Sequence, residues 1–118
     1  MPTTKELTDK FSEVFKGKAK HHGLNYFTIE LENKTIGFFA SAQDDSLTLN
    51  SPLVNFKDGN YSREKELRSR TRQLTEEVAK SIGISKVIYE SIFVEDKFEA
   101  IKEGYSFEPG MVGVKVLN

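Results

Sequence analysis

Thr3-Thr4-Lys5-Glu6 has the form of a capping box, in which a threonine hydroxyl and a glutamate three residues on satisfy backbone N–H groups at the start of a helix. Leu7, Phe11, Val14 and Phe15 then recur at helical spacing, which predicts an amphipathic helix ending at Gly17. Lys18-Ala19-Lys20-His21-His22-Gly23 has no period and reads as a basic loop. From Leu24 to Glu32 the apolar residues Phe27, Ile29 and Leu31 alternate with polar ones, and Asn33-Lys34 turns the chain into Thr35 to Ala42, predicting a β-hairpin. A third strand follows the Gln43-Asp44-Asp45-Ser46 turn, with Leu47, Leu49 and Leu53 on one face, and runs to about Val54. Pro52 lies within it and cannot donate to a ladder, so an edge, a bulge or a separation of strands is expected there.

Beyond the loop residues Lys57-Asp58-Gly59-Asn60, a long helix is predicted from Ser62, with Leu67, Thr71, Leu74, Val78 and Ile82 in period and Gly83 as its stop. Lys86 to Val94 is apolar on both faces, as a central strand covered on both sides would be. Strand, helix, strand predicts a right-handed parallel crossover from Leu47–Val54 to Lys86–Val94. Asp96 is placed to cap a short helix carrying Phe98 and Ile101, closed by Gly104, and Tyr105–Glu108 and Met111–Leu117 read as final strands. The expected class is α/β with a mixed sheet, in the order α-β-β-β-α-β-α-β-β. Phe27, Ile29, Leu49, Leu74, Val78, Ile88, Ile92 and Phe98 are its expected core.

Composition narrows the classes. A chain of 118 residues fits one domain, 1–118, and nine Phe and four Tyr supply apolar material without cysteine or metal staples. The absence of cysteine excludes disulfides and thiolate chemistry, and fits a reducing, cytoplasmic setting. No apolar run approaches the ~20 residues of a membrane helix. Seventeen basic residues balance eighteen acidic ones, so bulk charge directs the chain to neither nucleic acid nor an anionic membrane. A protein partner is the expected class, with self-association left open.

From Leu24 onward the order of elements resembles the GNAT superfamily of N-acetyltransferases. Leu47–Val54 sits where the family's central strand leads into its acyl-CoA loop, Val78–Ile84 reads like the end of the family's long helix, and Ala100–Phe107 resembles the approach to its glycine-aromatic pair. The family holds pyrophosphate with a loop Arg/Gln-x-x-Gly-x-Gly/Ala, whose small residues let backbone N–H groups reach the phosphates. The corresponding stretch here is Arg63-Glu64-Lys65-Glu66-Leu67-Arg68, in which only Arg63 matches and Glu66 and Arg68 fill the glycine positions. Where many members carry a general-acid tyrosine stands Ala100, with Tyr105 at the position of the family's aromatic core residue. The third strand has no carboxylate to act as base. Glu30, Glu32 and Glu90 are the nearest and read as solvated strand residues.

The resemblance therefore implies a GNAT scaffold without catalytic residues and with no cofactor, serving as a protein-interaction or assembly module. Short family-like proteins with degenerate glycine loops occur among phage virion and host-interaction proteins. The alternative is a divergent N-acetyltransferase in which Arg63, Lys65 and Arg68 hold acetyl-CoA through side chains. For a partner the candidates are Arg63, Arg68, Arg70 and Arg72, cations on the first turns of a helix whose dipole disfavours them. Pairing of Arg72 with Glu76 would account for part of that run. His21-His22 has no third ligand at metal spacing, and the cations around it suit a helix C-terminus.

Overall fold

The computed structural model describes residues 2–50, 52–56 and 64–118, the short run 53–56 in its backbone only. Arg63, the loop before it and the facing of Leu53 lie outside the described set. The elements are α1 (Thr4–Phe15), β1 (Lys18–His21), β2 (Tyr26–Glu30), β3 (Lys34–Gln43), β4 (Ser46–Asn50), β5 (Leu53–Phe56), α2 (Glu64–Ser81), β6 (Lys86–Glu90), α3 (Val94–Lys102), β7 (Ser106–Phe107) and β8 (Val112–Val116). The strands form one mixed α/β sheet in the order β1-β2-β3-β4-β6-β8-β7, with β5 beside β3.

The capping box forms as the sequence predicts, with Thr3 Oγ1 accepting from the Glu6 amide at 3.1 Å. Lys16, in the left-handed conformation at φ 56°, ends α1 one residue before the expected glycine. Gly17 is needed for a different reason: a Cβ there would meet the Glu30 carbonyl oxygen at 2.7 Å, because the chain turns directly onto the sheet. The expected basic loop is instead an edge strand, β1, with Ala19 opposite Ile29 and Lys20 opposite Thr28. Its alternation is hidden because only Ala19 turns inward, while lysines guard the open edge. Leu24, expected in the hairpin, lies in the preceding turn at φ 50° and is exposed.

Pro52 marks both a bulge and a separation. Between the pairs Ala40–Leu49 and Gly37–Leu53, β3 advances three residues and its partner four, so one extra residue is accommodated around the proline. The strand β6 runs parallel to β4 as far as Asn50–Glu90, and β5 then continues along β3. The expected parallel crossover through α2 is present.

Side-chain alternation and register place one sheet face under the helices. Phe27 and Phe38 on that face receive Phe11 of α1, with ring centroids 5.3 and 5.1 Å apart. The same face continues through Ala40, Leu49, Tyr89 and Gly113, which are register partners in turn, and Lys115 of β8 reaches Glu76 of α2. Phe27, Ile29, Leu49 and Val78 are buried as expected, while Leu74 and Ile88 are half-buried.

Two expected core residues are corrected. Ile92 is 59% and Phe98 56% exposed. The strand expected to run to Val94 stops at Glu90, only one of its faces is covered by helices, and Ile92, Phe93 and Val94 lead out into α3. In α3 the inward face is Asp96 and Ala100, not Phe98 and Ile101. Asp96 does not cap the helix. Phe93 occupies the cap position without a side-chain bond, and the Asp96 carboxylate is drawn instead to a guanidinium beneath it.

Candidate functional site

Arg68 and Arg72 are one helical turn apart on α2 and project toward α3 and β6. Arg72 is fully buried. Its Nη1 donates to Asp96 Oδ1 at 2.6 Å, Nε and Nη2 donate to the two oxygens of Glu103 at 2.9 and 2.5 Å, and Cζ lies 5.0 Å from the Tyr89 ring centroid. Tyr89 Oη donates to Asp96 Oδ2 at 2.5 Å, and Ser69 Oγ donates to Glu103 Oε2 at 3.0 Å. Burial opposes the Arg72 charge, but the Glu103 hydrogen bonds and the surrounding Tyr89, Glu103 and Asp96 oxygens outweigh it and raise the pKa, so the cation is locked on.

A second buried group lies alongside. Glu76 accepts from Tyr105 Oη at 3.1 Å and from Lys115 Nζ at 2.8 Å. Burial, followed by the charge and hydrogen bond of Glu76, pushes the Tyr105 pKa up, so its proton stays on the phenol. The expected Arg72–Glu76 pair is thus replaced by two separate partnerships. Both tie the long helix to the C-terminal third of the chain: Arg72 to β6 and α3, Glu76 to β8 and to Tyr105 at the end of the α3 turn.

Above the Arg72 cluster lies a groove of about 500 Å³ lined by Glu64, Arg68, Ile92, Phe93, Val94 and Glu95. It adjoins one of about 290 Å³ bordered by Lys65, Arg68, Glu95, Phe98 and Glu99, so Arg68 and Glu95 belong to both. The Arg68 guanidinium lies 3.6 Å from Glu64 and 3.3 Å from Asp96, and its Cζ is 5.4 Å from the Phe93 ring centroid. Its buried Nε lies near Asp96 without the alignment of a hydrogen bond. Lys65 pairs with Glu99 at 3.1 Å, and this contact, opposed by desolvation and aided by Lys102, lowers the Glu99 pKa. The arrangement is an apolar rim, with Ile92, Val94 and Phe98 more than half exposed, around a partly neutralised guanidinium.

The arginines do not form one surface. Successive helix positions rotate by about 100°, so Arg70 points away from Arg68 and lines a groove between α1 and α2 with Val14, Lys16 and Lys34. Arg72, expected among the partner-facing cations, is withdrawn into the interior by Asp96 and Glu103. Lys65 and Arg68 alone of the candidates meet at the α3 groove, and Arg63 lies outside the described residues. The sequence pattern does not mark Tyr89 or Glu103 as partners of Arg72, and it marks Asp96 only as a helix cap. The available signal was the inward face of α2, where the small polar residues Thr71 and Thr75 are buried along with Arg72.

His21 Nε2 contacts the Leu24 carbonyl oxygen at 2.5 Å and His22 Nε2 contacts Thr28 Oγ1 at 2.6 Å, so both rings are used locally in the β1–β2 hairpin. Among the described residues no group of three metal-ligating side chains occurs, and no helix is long and apolar enough to cross a membrane.

No family model and no curated protein matches the chain. Among solved structures, a tyrosine-to-phenylalanine mutant of KacT aligns over 96% of this chain and 78% of its own, at 10% identity and a TM-score of 0.48.

Proposed function

We propose that the chain is a non-catalytic, GNAT-like interaction module of the cytoplasm that grips a protein partner in the groove between α2 and α3. The observation that carries this reading is the exposure of Ile92, Val94 and Phe98 around Arg68. Apolar side chains gathered at a groove cost solvation unless something covers them. A guanidinium at the centre of such a patch, with Lys65 beside it, suits a partner presenting apolar side chains next to a carboxylate. Kinship with the GNAT scaffold is supported by the parallel pair β4–β6 joined through α2, the break at Pro52, and the closing antiparallel pair β7–β8.

Acetyl-CoA fits these residues poorly. Glu64 and Glu66 occupy the first turn of α2, where free N–H groups and the positive end of the helix dipole would otherwise receive a phosphate. The Arg68 guanidinium is already held between Glu64 and Asp96. Around the groove the described residues poise no proton for acyl transfer: Ala100 stands at the general-acid position, the Tyr105 proton is held on a buried phenol against Glu76, and the Tyr89 hydroxyl is committed to Asp96. Calorimetric titration of acetyl-CoA into the wild type and into Glu66→Gly tests the reading. No binding heat from the wild type is expected up to ~1 mM ligand, a concentration at which even a site of about −4 kcal/mol is half filled. Binding of the wild type at micromolar strength, unimproved by the glycine, would move the chain to the acetyltransferases.

A further inference from the structure

The groove between α1 and α2 differs in composition from the one at α3. It holds about 240 Å³ between the end of α1, the start of β3 and the first half of α2. Of its apolar lining, Phe15 and Ile36 are buried, while Val14, Leu31, Leu67 and Leu74 are half-buried. The turn into β3 is fixed by the Leu31 amide, which donates to the Lys34 carbonyl oxygen at 2.9 Å. Three cations from three separate elements meet at this lining: Lys16, which ends α1, Lys34, the first residue of β3, and Arg70 of α2. No carboxylate lines the groove among the described residues.

Ordinary uses of these cations do not account for the cluster. Lys16 suits the negative end of the α1 dipole. Lys34 and Arg70 have no helix C-terminus to serve. Alternation along β3 sets Lys34 on the face of Ile36 and Phe38, the face under the helices, where it is half-buried. Arg70 donates to a neutral partner, Gln73, at 3.5 Å. By contrast Lys65, Arg68, Arg72 and Lys115 each meet a carboxylate. In a chain of net charge -1, three like charges gathered at an apolar groove repel one another, and an anion seated among them relieves that repulsion.

We propose that this groove binds a short aliphatic carboxylate, with its tail against the leucines and Phe15 and its head group at Arg70 and the two lysines. The two parts of the lining select the ligand together. A bare inorganic anion would leave the apolar side chains uncovered, and a neutral hydrocarbon would desolvate the cations without compensation. Arg70 offers a planar fork that matches a carboxylate, and the lysines add charge without a fixed geometry. The volume is below the ~300–1,000 Å³ of sites for drug-sized ligands, which limits the tail to a short chain. Because Arg70 points away from Arg68, the site stands apart from the α2–α3 groove and does not rest on the protein-partner reading.

Titration of octanoate into isotope-labelled protein, followed through backbone amide shifts by NMR, tests the proposal. Saturable shifts are expected at Lys16, Leu31, Lys34, Leu67 and Arg70, with a dissociation constant of ~0.1–1 mM, a range open to so small a ligand. Octanol keeps the tail and acetate keeps the head, and each should bind at least about tenfold more weakly than octanoate. Arg70→Gln and Lys34→Gln should each weaken octanoate binding by about three- to tenfold. Arg70→Glu should abolish it, whereas Lys5→Gln, at the other end of α1, should leave it unchanged. The replaced side chains are exposed or half-buried, so far-ultraviolet circular dichroism should not change. If Lys34→Gln nonetheless disturbs the fold, the two Arg70 variants decide alone. Shifts that stay linear up to ~10 mM octanoate, shifts that gather at the α2–α3 groove, octanol binding as tightly as octanoate, or binding indifferent to Arg70→Glu would each overturn the proposal.

Discussion

Arg72 carries the largest single stake in this molecule. Its guanidinium is the cation that Asp96 and Glu103 share, so removing it takes the shared donor from two carboxylates, one fully and one largely buried. Arg72→Met is expected to cost ~3–5 kcal/mol in urea unfolding, as breaking one side of a buried pair does; a loss under ~1 kcal/mol would show that water reaches the cluster. Tyr105 gives a pH signature. Its folded pKa lies above the ordinary 10.0 because burial and Glu76 favour the protonated phenol. A raised pKa means that stability is complete below pH 10 and is lost as pH rises beyond it, by up to about 1.4 kcal/mol per pH unit for one proton. Tyr105→Phe should flatten that decline between about pH 10 and 11. A decline equally steep in the variant would assign it to another group. At this scale the sequence was hard to read, because an arginine in an otherwise amphipathic helix looks like a solvated one. What drew Arg72 inward was the pairing with Asp96 and Glu103, 24 and 31 positions away, which no local pattern carries.

The elements were more legible than their faces. Helical and alternating periods located α1, β2, β3, α2 and β6, and Pro52 announced the bulge, because each signal is local to the chain. The edge strand β1 was hidden because a solvated edge needs only Ala19 inside. In α3, Phe98 and Ile101 mark an apolar stripe whose obvious use is burial, yet tertiary pairing of Asp96 with Arg72 rotates that stripe outward. Local pattern does not report which of two faces wins when a buried ion pair competes with two hydrophobic side chains. The turn from α1 to β1 offers an element-scale test. Gly17→Ala would press a methyl group to 2.7 Å from the Glu30 carbonyl oxygen, so α1 must shift from β2. A cost of ~1–3 kcal/mol is expected, as for other overpacked sites. Unchanged stability would mean that this junction has slack.

Among the described residues the sheet carries helices over one face, and exposed apolar side chains gather around Arg68 at the α2–α3 groove and along β8. In both, residues that would serve a core are left outside, and this shared feature motivates the proposed contact role. Glu64, Lys65 and Arg68 of the basic run border the groove, but which other residues rim it depended on where α3 turned its faces. The central claim is that Ile92 and Phe98 are held out for a partner and contribute little to the fold. Urea denaturation of an Ile92→Ser/Phe98→Ser double variant tests it most directly. The account predicts an unfolding free energy within ~0.5 kcal/mol of wild type, as for surface positions. A loss of ~3 kcal/mol or more, the scale of core truncation, would contradict it and return these side chains to the interior.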